Sequence, residues 1–377
     1  MSGSEWLEFQ YRLITVLVFL SLFCNAVLIL LIQLKSPKKL GPYKYLMNFI
    51  SIFEVFYSII DYLVIPVMHS HGPSFFIMTP LAHSIFNDSV ALKMLAVWCG
   101  FFGSSMAIFG IHFIYRYLAV SGSEKISTFK GNKIIFWMLI PVIFGMIWGT
   151  VSFFCCGPKE VMTNFIRNNL MEDFNLSVDE VVYIGPYFYN EDGNFLLDID
   201  VVVTLTLATA IMVFFSVYST YQQLTFQDSS LMTIFYFGWK CYKSLAGVHA
   251  GGFSKQFRTL QHQFFIALVL QTVIPITLMH LPLLITYSGA LLNISLGNFS
   301  NLTSITIALY PVIDPLPTIF IIKNYREGLK KFCLTPIKFF LKIKNKDLTK
   351  IGHADDASST RTSKVPEDYN VSAWGHI

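Results

Sequence analysis

The chain of 377 residues is 54% hydrophobic and only 13% charged, with 36 phenylalanines. Soluble domains carry about 25% charged residues. The composition therefore excludes an ordinary soluble domain and indicates one membrane-embedded unit, although the length would accommodate two globular domains. The net charge of +4 is too mild to indicate a nucleic-acid partner, and six cysteines without CxxC spacing indicate neither a zinc site nor a disulfide scaffold.

A bilayer-crossing helix needs about 20 mostly apolar residues. After an N-terminal segment, 1–12, the first such run spans 13–34. It stays uncharged longer than a signal-peptide core and no small-residue cleavage site follows, so a retained anchor is expected. Further spans are predicted at 45–68, which carries Glu54 and Asp61, and at 94–115, 134–155, 201–220, 264–286 and 302–322. The connections are a basic 35–44, a neutral 69–93, a basic 116–133, a long acidic 156–200, 221–263 and a short 287–301. Residues 323–350 place Leu329, Phe332, Ile337, Phe340 and Leu341 among lysines, the pattern of a basic amphipathic segment on an anionic leaflet. Cys333 within it is either a palmitoylation site or a free thiol. Residues 351–377 are polar and expected to be a disordered cytoplasmic tail, in which Ser358–Ser363 is a phosphorylation candidate. No long internal repeat supports an inverted-repeat transporter.

Lysine and arginine concentrate on the cytoplasmic side of membrane proteins. With the N-terminus outside, 23 of the 27 fall on inner segments. N-x-S/T sequons at Asn87, Asn175, Asn293, Asn298 and Asn301 then lie on outer segments or their edges, as glycosylation candidates; Asn370 lies in the inner tail. The expected fold is an all-α, seven-transmembrane helix bundle, N-out and C-in.

Charged groups inside a bilayer are costly and therefore face partners or a site. Asn25, Glu54 and Asp314 each lie eight or nine residues from the inner end of their helix, about 12–14 Å deep at the α-helical rise. One interior cluster is expected, with a proton shared between the carboxyls and Glu54 as its carrier. Asp61, seven residues after Glu54, falls on nearly the same face, toward the outside. The third helix ends in His112-Phe113-Ile114-Tyr115-Arg116-Tyr117; Arg116 at the rim either ties helices together, meets a cytosolic protein or snorkels to lipid. Pro275 and Pro282 flank His280, and Tyr310-Pro311 precedes Asp314-Pro315-Leu316-Pro317. Such prolines free carbonyls and make hinges or static bends. Tyr62, Phe101, Phe102, Met279, His280, Tyr287, Thr303 and Tyr310 on the outer halves are candidates to line a mainly apolar ligand pocket. Cys99 is either a buried free thiol or joined to Cys155 or Cys156. No cofactor or metal site is indicated, and no intramembrane nucleophile–base pair suggests an enzyme.

Four segments together carry a family resemblance: Lys39–Met47 (KLGPYKYLM), His112–Val120 (HFIYRYLAV), Leu260–Phe265 (LQHQFF) and Ile307–Arg326 (IALYPVIDPLPTIFIIKNYR). Spread over roughly residues 10–330, they resemble nematode seven-transmembrane chemoreceptors of the Str class, serpentine receptors related to the diacetyl receptor. The resemblance implies a G-protein-coupled receptor in the cilia of chemosensory neurons, a small and often volatile odorant as ligand, and a heterotrimeric G protein as partner. Arg116, Lys255 and Arg258 would face that G protein. More distantly, Asn25, Arg116 and Asp314-Pro315 resemble motif positions of rhodopsin-like receptors. Tyr115 stands where an acidic partner of the arginine is usual, and Thr318 where a tyrosine closes the last motif. Residues 225–252 fit the family poorly and read as an interfacial segment or a gene-model insertion. A ligand-gated odorant channel or a transporter is the alternative; the lysine bias opposes the channel, whose orientation is reversed.

Overall fold

The computed structural model describes residues 3–37, 40–121, 123–189, 200, 203, 255–332 and 334. Met1–Arg326 forms one compact unit and Glu327–Ile377 a second, of which residues 327–332 are helical. The predicted span 201–220, the segment 225–252, Cys333 and the tail 351–377 lie outside the described residues.

Six described helical stretches are long and apolar enough to cross a membrane. They are built from α1 (Gly3–Lys35), α2 (Tyr43–Val64), α3 (Asp88–Ser121), α4 (Ile134–Cys155), a rod continuing from α6 (Lys255–Pro275), and a final broken helix. Their outward faces are apolar: Phe19, Phe23, Phe136 and Phe154 are 66–73% exposed. Their inward faces bury Asn25, Glu54, Asp61, Gln271 and Asp314. Exposed phenylalanine with buried carboxylate is the distribution a lipid solvent imposes.

Prolines set where these helices bend. The rod passes from α6 through one π-helical turn, Ile276–His280, into α7 (Leu281–Leu291). Pro282 brings no N–H and its ring crowds the carbonyl four residues back, so the turn before it widens. The last helix is split into α8 (Asn298–Ile313) and α9 (Pro315–Ile321) at Asp314-Pro315 for the same reason.

The span predicted at 45–68 is shorter than expected. Ile65 adopts a left-handed conformation (φ 51°) directly before Pro66, which disfavours helix in its neighbour. The apolar residues that follow belong instead to β1 (Val67–His71), which turns through Gly72 (φ 50°) into β2 (Ser74–Pro80). β2 pairs in turn with β3 (Val181–Ile184), giving an antiparallel sheet in the order β1-β2-β3. Both the 69–93 and 156–200 connections therefore contain regular structure; the second also holds the amphipathic helix α5 (Glu160–Phe174).

The sheet roofs one end of the bundle, and strand alternation explains how. Met68, Phe75, Ile77 and Ile184 face down into the main apolar core with Trp98, Phe102, Met279 and Tyr310. Val67, Phe76, Met78, Val181 and Tyr183 face up, against Met162, Ile166, Leu170 and Phe174 of α5. Leu7 joins this upper layer and Gln10 Nε2 donates to the Pro66 carbonyl at 3.1 Å, which accounts for α1 starting at Gly3 rather than at the apolar run. An unpaired strand edge needs partners. That of β1 finds them on α8, where Ser304 Oγ accepts from Met68 N–H (2.7 Å) and Ser300 Oγ from Ser70 N–H (3.0 Å).

At the α3–α4 seam, Gly100 permits backbone approach: a Cβ there would lie 2.8 Å from the Gly145 carbonyl oxygen. Among the described residues, Cys24, Cys99, Cys155 and Cys156 are not joined in disulfides.

Candidate functional site

The interior holds two layers, an apolar one under the sheet and a polar one beneath it. The polar layer begins with proline chemistry. Pro315 has no N–H, so the Pro311 carbonyl lacks its helical donor. Asn25 Nδ2 supplies one at 3.0 Å and Ser21 Oγ another at 3.2 Å, both from α1. Ser21 Oγ also lies 2.6 Å from Ser58 Oγ on α2. Tyr310 O–H donates to Glu54 Oε1 at 3.1 Å, and Gln271 Nε2 to Asp314 Oδ2 at 3.0 Å. The Glu54 carboxyl lies within electrostatic reach of Asp314 and Asn25. Two carboxylates offer only acceptors, so a direct hydrogen bond between them would require a shared proton.

Asn25, Glu54 and Asp314 lie in this one layer. Pro315 enters through the donor it lacks. Asp61 does not join them: its Oδ1 accepts from Trp98 Nε1 at 2.8 Å, and its Oδ2 has no partner. Ser21, Ser58 and Gln271 complete the layer and were not singled out from sequence, because uncharged polar residues in apolar helices draw little notice.

In the apolar layer under the sheet, Phe102 meets His280 edge-on at 5.2 Å, Met279 is fully buried, and Tyr287 lies edge-on to the sheet-side rings Phe75 (6.5 Å) and Phe188 (5.3 Å). Thr303 Oγ1 lies 3.4 Å from Thr286 Oγ1, and Tyr310 reaches from this layer into the polar one. His280 Nδ1 and the Tyr287 hydroxyl are buried without hydrogen-bond partners. Phe101 belongs to a different wall, stacked between Phe53 (5.3 Å) and Tyr57 (5.8 Å). Tyr62 is a correction. It is 39% exposed on the outward side of α2, because one residue after inward Asp61 the helix has turned about 100°.

Arg116 lies in the last turns of α3, and Lys255 and Arg258 in the first of α6, at the ends remote from the sheet; their side chains lie outside the described set. The sequons gather at the sheet-bearing end. Asn87 is exposed and its Oδ1 caps α3 through Val90 N–H (3.1 Å); Asn175 and Asn293 are exposed in left-handed turns. The side chain of Asn298 is outside the described set. Asn301 is a second correction: it is 3% exposed and lies 3.1 Å from His69 Nδ1, which leaves no room for a glycan. Among the described residues no three His, Cys, Asp or Glu side chains converge as a metal would require.

The serpentine type 7TM GPCR chemoreceptor Str family matches residues 10–330. The G-protein coupled receptor str-217 of Caenorhabditis elegans is 36% identical over 333 residues, 86% of this chain and 90% of that protein. Serpentine receptor class r-10 of C. elegans is 30% identical over 338 residues, 88% and 93% of the two chains. The Caenorhabditis briggsae protein of the same name is 30% identical over 342 residues, 89% and 93%. With its apolar helices, buried polar layer and proline-broken last span, the chain belongs to the Str family of serpentine seven-transmembrane chemoreceptors: a multi-pass membrane receptor and not an enzyme.

Proposed function

We propose that this receptor binds a small, weakly polar, volatile molecule beneath the sheet and answers by activating a heterotrimeric G protein at the opposite end. One observation carries the reading. Tyr310 is a wall of the apolar layer and at the same time the hydrogen-bond donor to Glu54 in the polar layer. A molecule that displaces the Tyr310 ring must break its hydrogen bond to Glu54, in the polar layer that also holds Asp314 at the broken α8–α9 junction. The π turn of the α6–α7 rod, beside Phe102 and under Tyr287, is the matching hinge for moving the inner end of α6. A ligand shifts such an equilibrium only by as much as it prefers one state. Arg116, Lys255 and Arg258 then face the G protein, the sheet faces outside, and the site of action is the plasma membrane of a sensory cilium, the compartment that the family's chemosensory role favours.

Cells expressing the full chain, screened against a volatile panel with a second-messenger readout, test this. Response to at least one volatile is expected, and its loss in Arg116→Ala with surface delivery intact. Ligand-evoked current in cells lacking G proteins would assign the chain to the channels instead.

A further inference from the structure

Asp61 is the buried group that the polar layer does not use. It sits one turn before α2 ends at the sheet and is 4% exposed. A carboxyl has two oxygens and about four acceptor positions; this one receives a single neutral donor, the Trp98 indole N–H, and its Oδ2 receives none. Among the described residues no lysine or arginine pairs with it; the close ion pairs lie elsewhere. One turn below on the same helix face, Tyr57 is 1% exposed and its hydroxyl also has no partner. Aromatic rings wall the two: Trp98 lies 6.2 Å from the Tyr57 ring, and Phe101 stacks on it at 5.8 Å. Met68 and Phe75 of the sheet belong to the same core cluster as Tyr57 and Trp98.

We propose that Asp61, with Tyr57 and Trp98, is the recognition site for a basic nitrogen, so that the receptor's ligand class is small primary amines. This rests on the reading of the layer under the sheet as the ligand site. A buried carboxylate lacking a cation is completed by an ammonium, which brings both the opposite charge and several N–H donors. Aromatic faces attract the same cation. An alcohol of equal size offers one donor without charge, and a carboxylic acid offers a like charge; neither meets both needs. The apolar layer beside the site suits a short alkyl chain.

The test uses the full-length receptor in lipid nanodiscs, probed with straight-chain primary amines from propylamine to hexylamine and with the alcohols and carboxylates of the same skeletons. Binding is read as saturable thermal stabilisation and as quenching of tryptophan fluorescence. At least one amine is expected to bind, with the matching alcohol and carboxylate far weaker. Asp61→Asn, which keeps the shape and an acceptor for Trp98 but no charge, is expected to weaken it on the order of a hundredfold. Should that variant fail to fold, the amine-over-alcohol selectivity of the unaltered receptor decides alone. The proposal is overturned if no amine binds saturably, if alcohols bind as well, or if a folded Asp61→Asn variant binds equally. Neutral volatiles that signal in cells, where amines neither bind nor signal, would remove the amine site and leave the receptor reading standing. Amine binding through Asp61 without any G-protein response would do the reverse.

Discussion

Asn25 illustrates how one covalent feature recruits a distant side chain. Pro315 strips the Pro311 carbonyl of its helical donor, and the Asn25 amide, from the other end of the chain, replaces it. A buried acceptor left without a donor costs about 1–3 kcal/mol, so Asn25→Leu is expected to lower unfolding stability by about that amount. Thermal unfolding of purified receptor measures it; an unchanged midpoint would mean that Ser21 alone satisfies the carbonyl. Asn25, Glu54 and Asp314 were legible in the sequence because amides and carboxyls stand out in apolar runs and their depth can be counted. Which way a side chain points was less legible. Asp61 and Tyr62 are adjacent, yet one faces the core and the other the lipid, and the seven-residue count that sets Asp61 outward of Glu54 does not reveal its Trp98 partner.

The sheet and α5 form an element whose stability is tied to one imidazole. His69 on β1 is 2% exposed. Its Nδ1 lies 3.1 Å from Asn301 Oδ1 on α8, and its Nε2 lies 3.1 Å from Asp173 Oδ2 on α5, outside hydrogen-bonding direction. His71 on the same strand and Asn169 on α5 complete the surroundings. Burial holds the His69 pKa below its ordinary 6.5; the Asn301 contact and the Asp173 charge oppose the shift without cancelling it. The sign follows from proton uptake: the unfolded chain binds the proton first, so the stability contribution is complete above 6.5 and is lost as pH falls through the folded-state value. The receptor is expected to melt earlier at about pH 5.5 than at about pH 7.5, and His69→Gln to flatten that difference. Equal pH dependence in the variant would place the titrating group elsewhere. None of this element was legible as structure: an Ile-Pro pair ended a helix inside what hydropathy reads as one continuous span, and short strands leave weak periodicity.

At the scale of the molecule, the cations decide the threading. Outer segments hold only 4 of the 27 lysines and arginines, and exposed Asn87, Asn175 and Asn293 stand at the sheet-bearing end. An epitope tag at the N-terminus is expected to be stained on intact cells, and one at the C-terminus only after permeabilisation. The reverse pattern would sink the G-protein reading, since the basic ends of α3 and α6 would face outside.

By itself the sequence determined that the chain lives in lipid, and it marked the apolar runs and the polar residues set within them. Those properties follow from transfer free energies and a fixed helical rise, both local to a segment. Only the tertiary structure decided that β1, β2, β3 and α5 roof the bundle, that Asp61 pairs with Trp98, that Tyr62 faces outward, and that Asn301 is buried. Each of these depends on rotation about a helix axis or on pairing between segments far apart in the chain, which hydropathy does not encode.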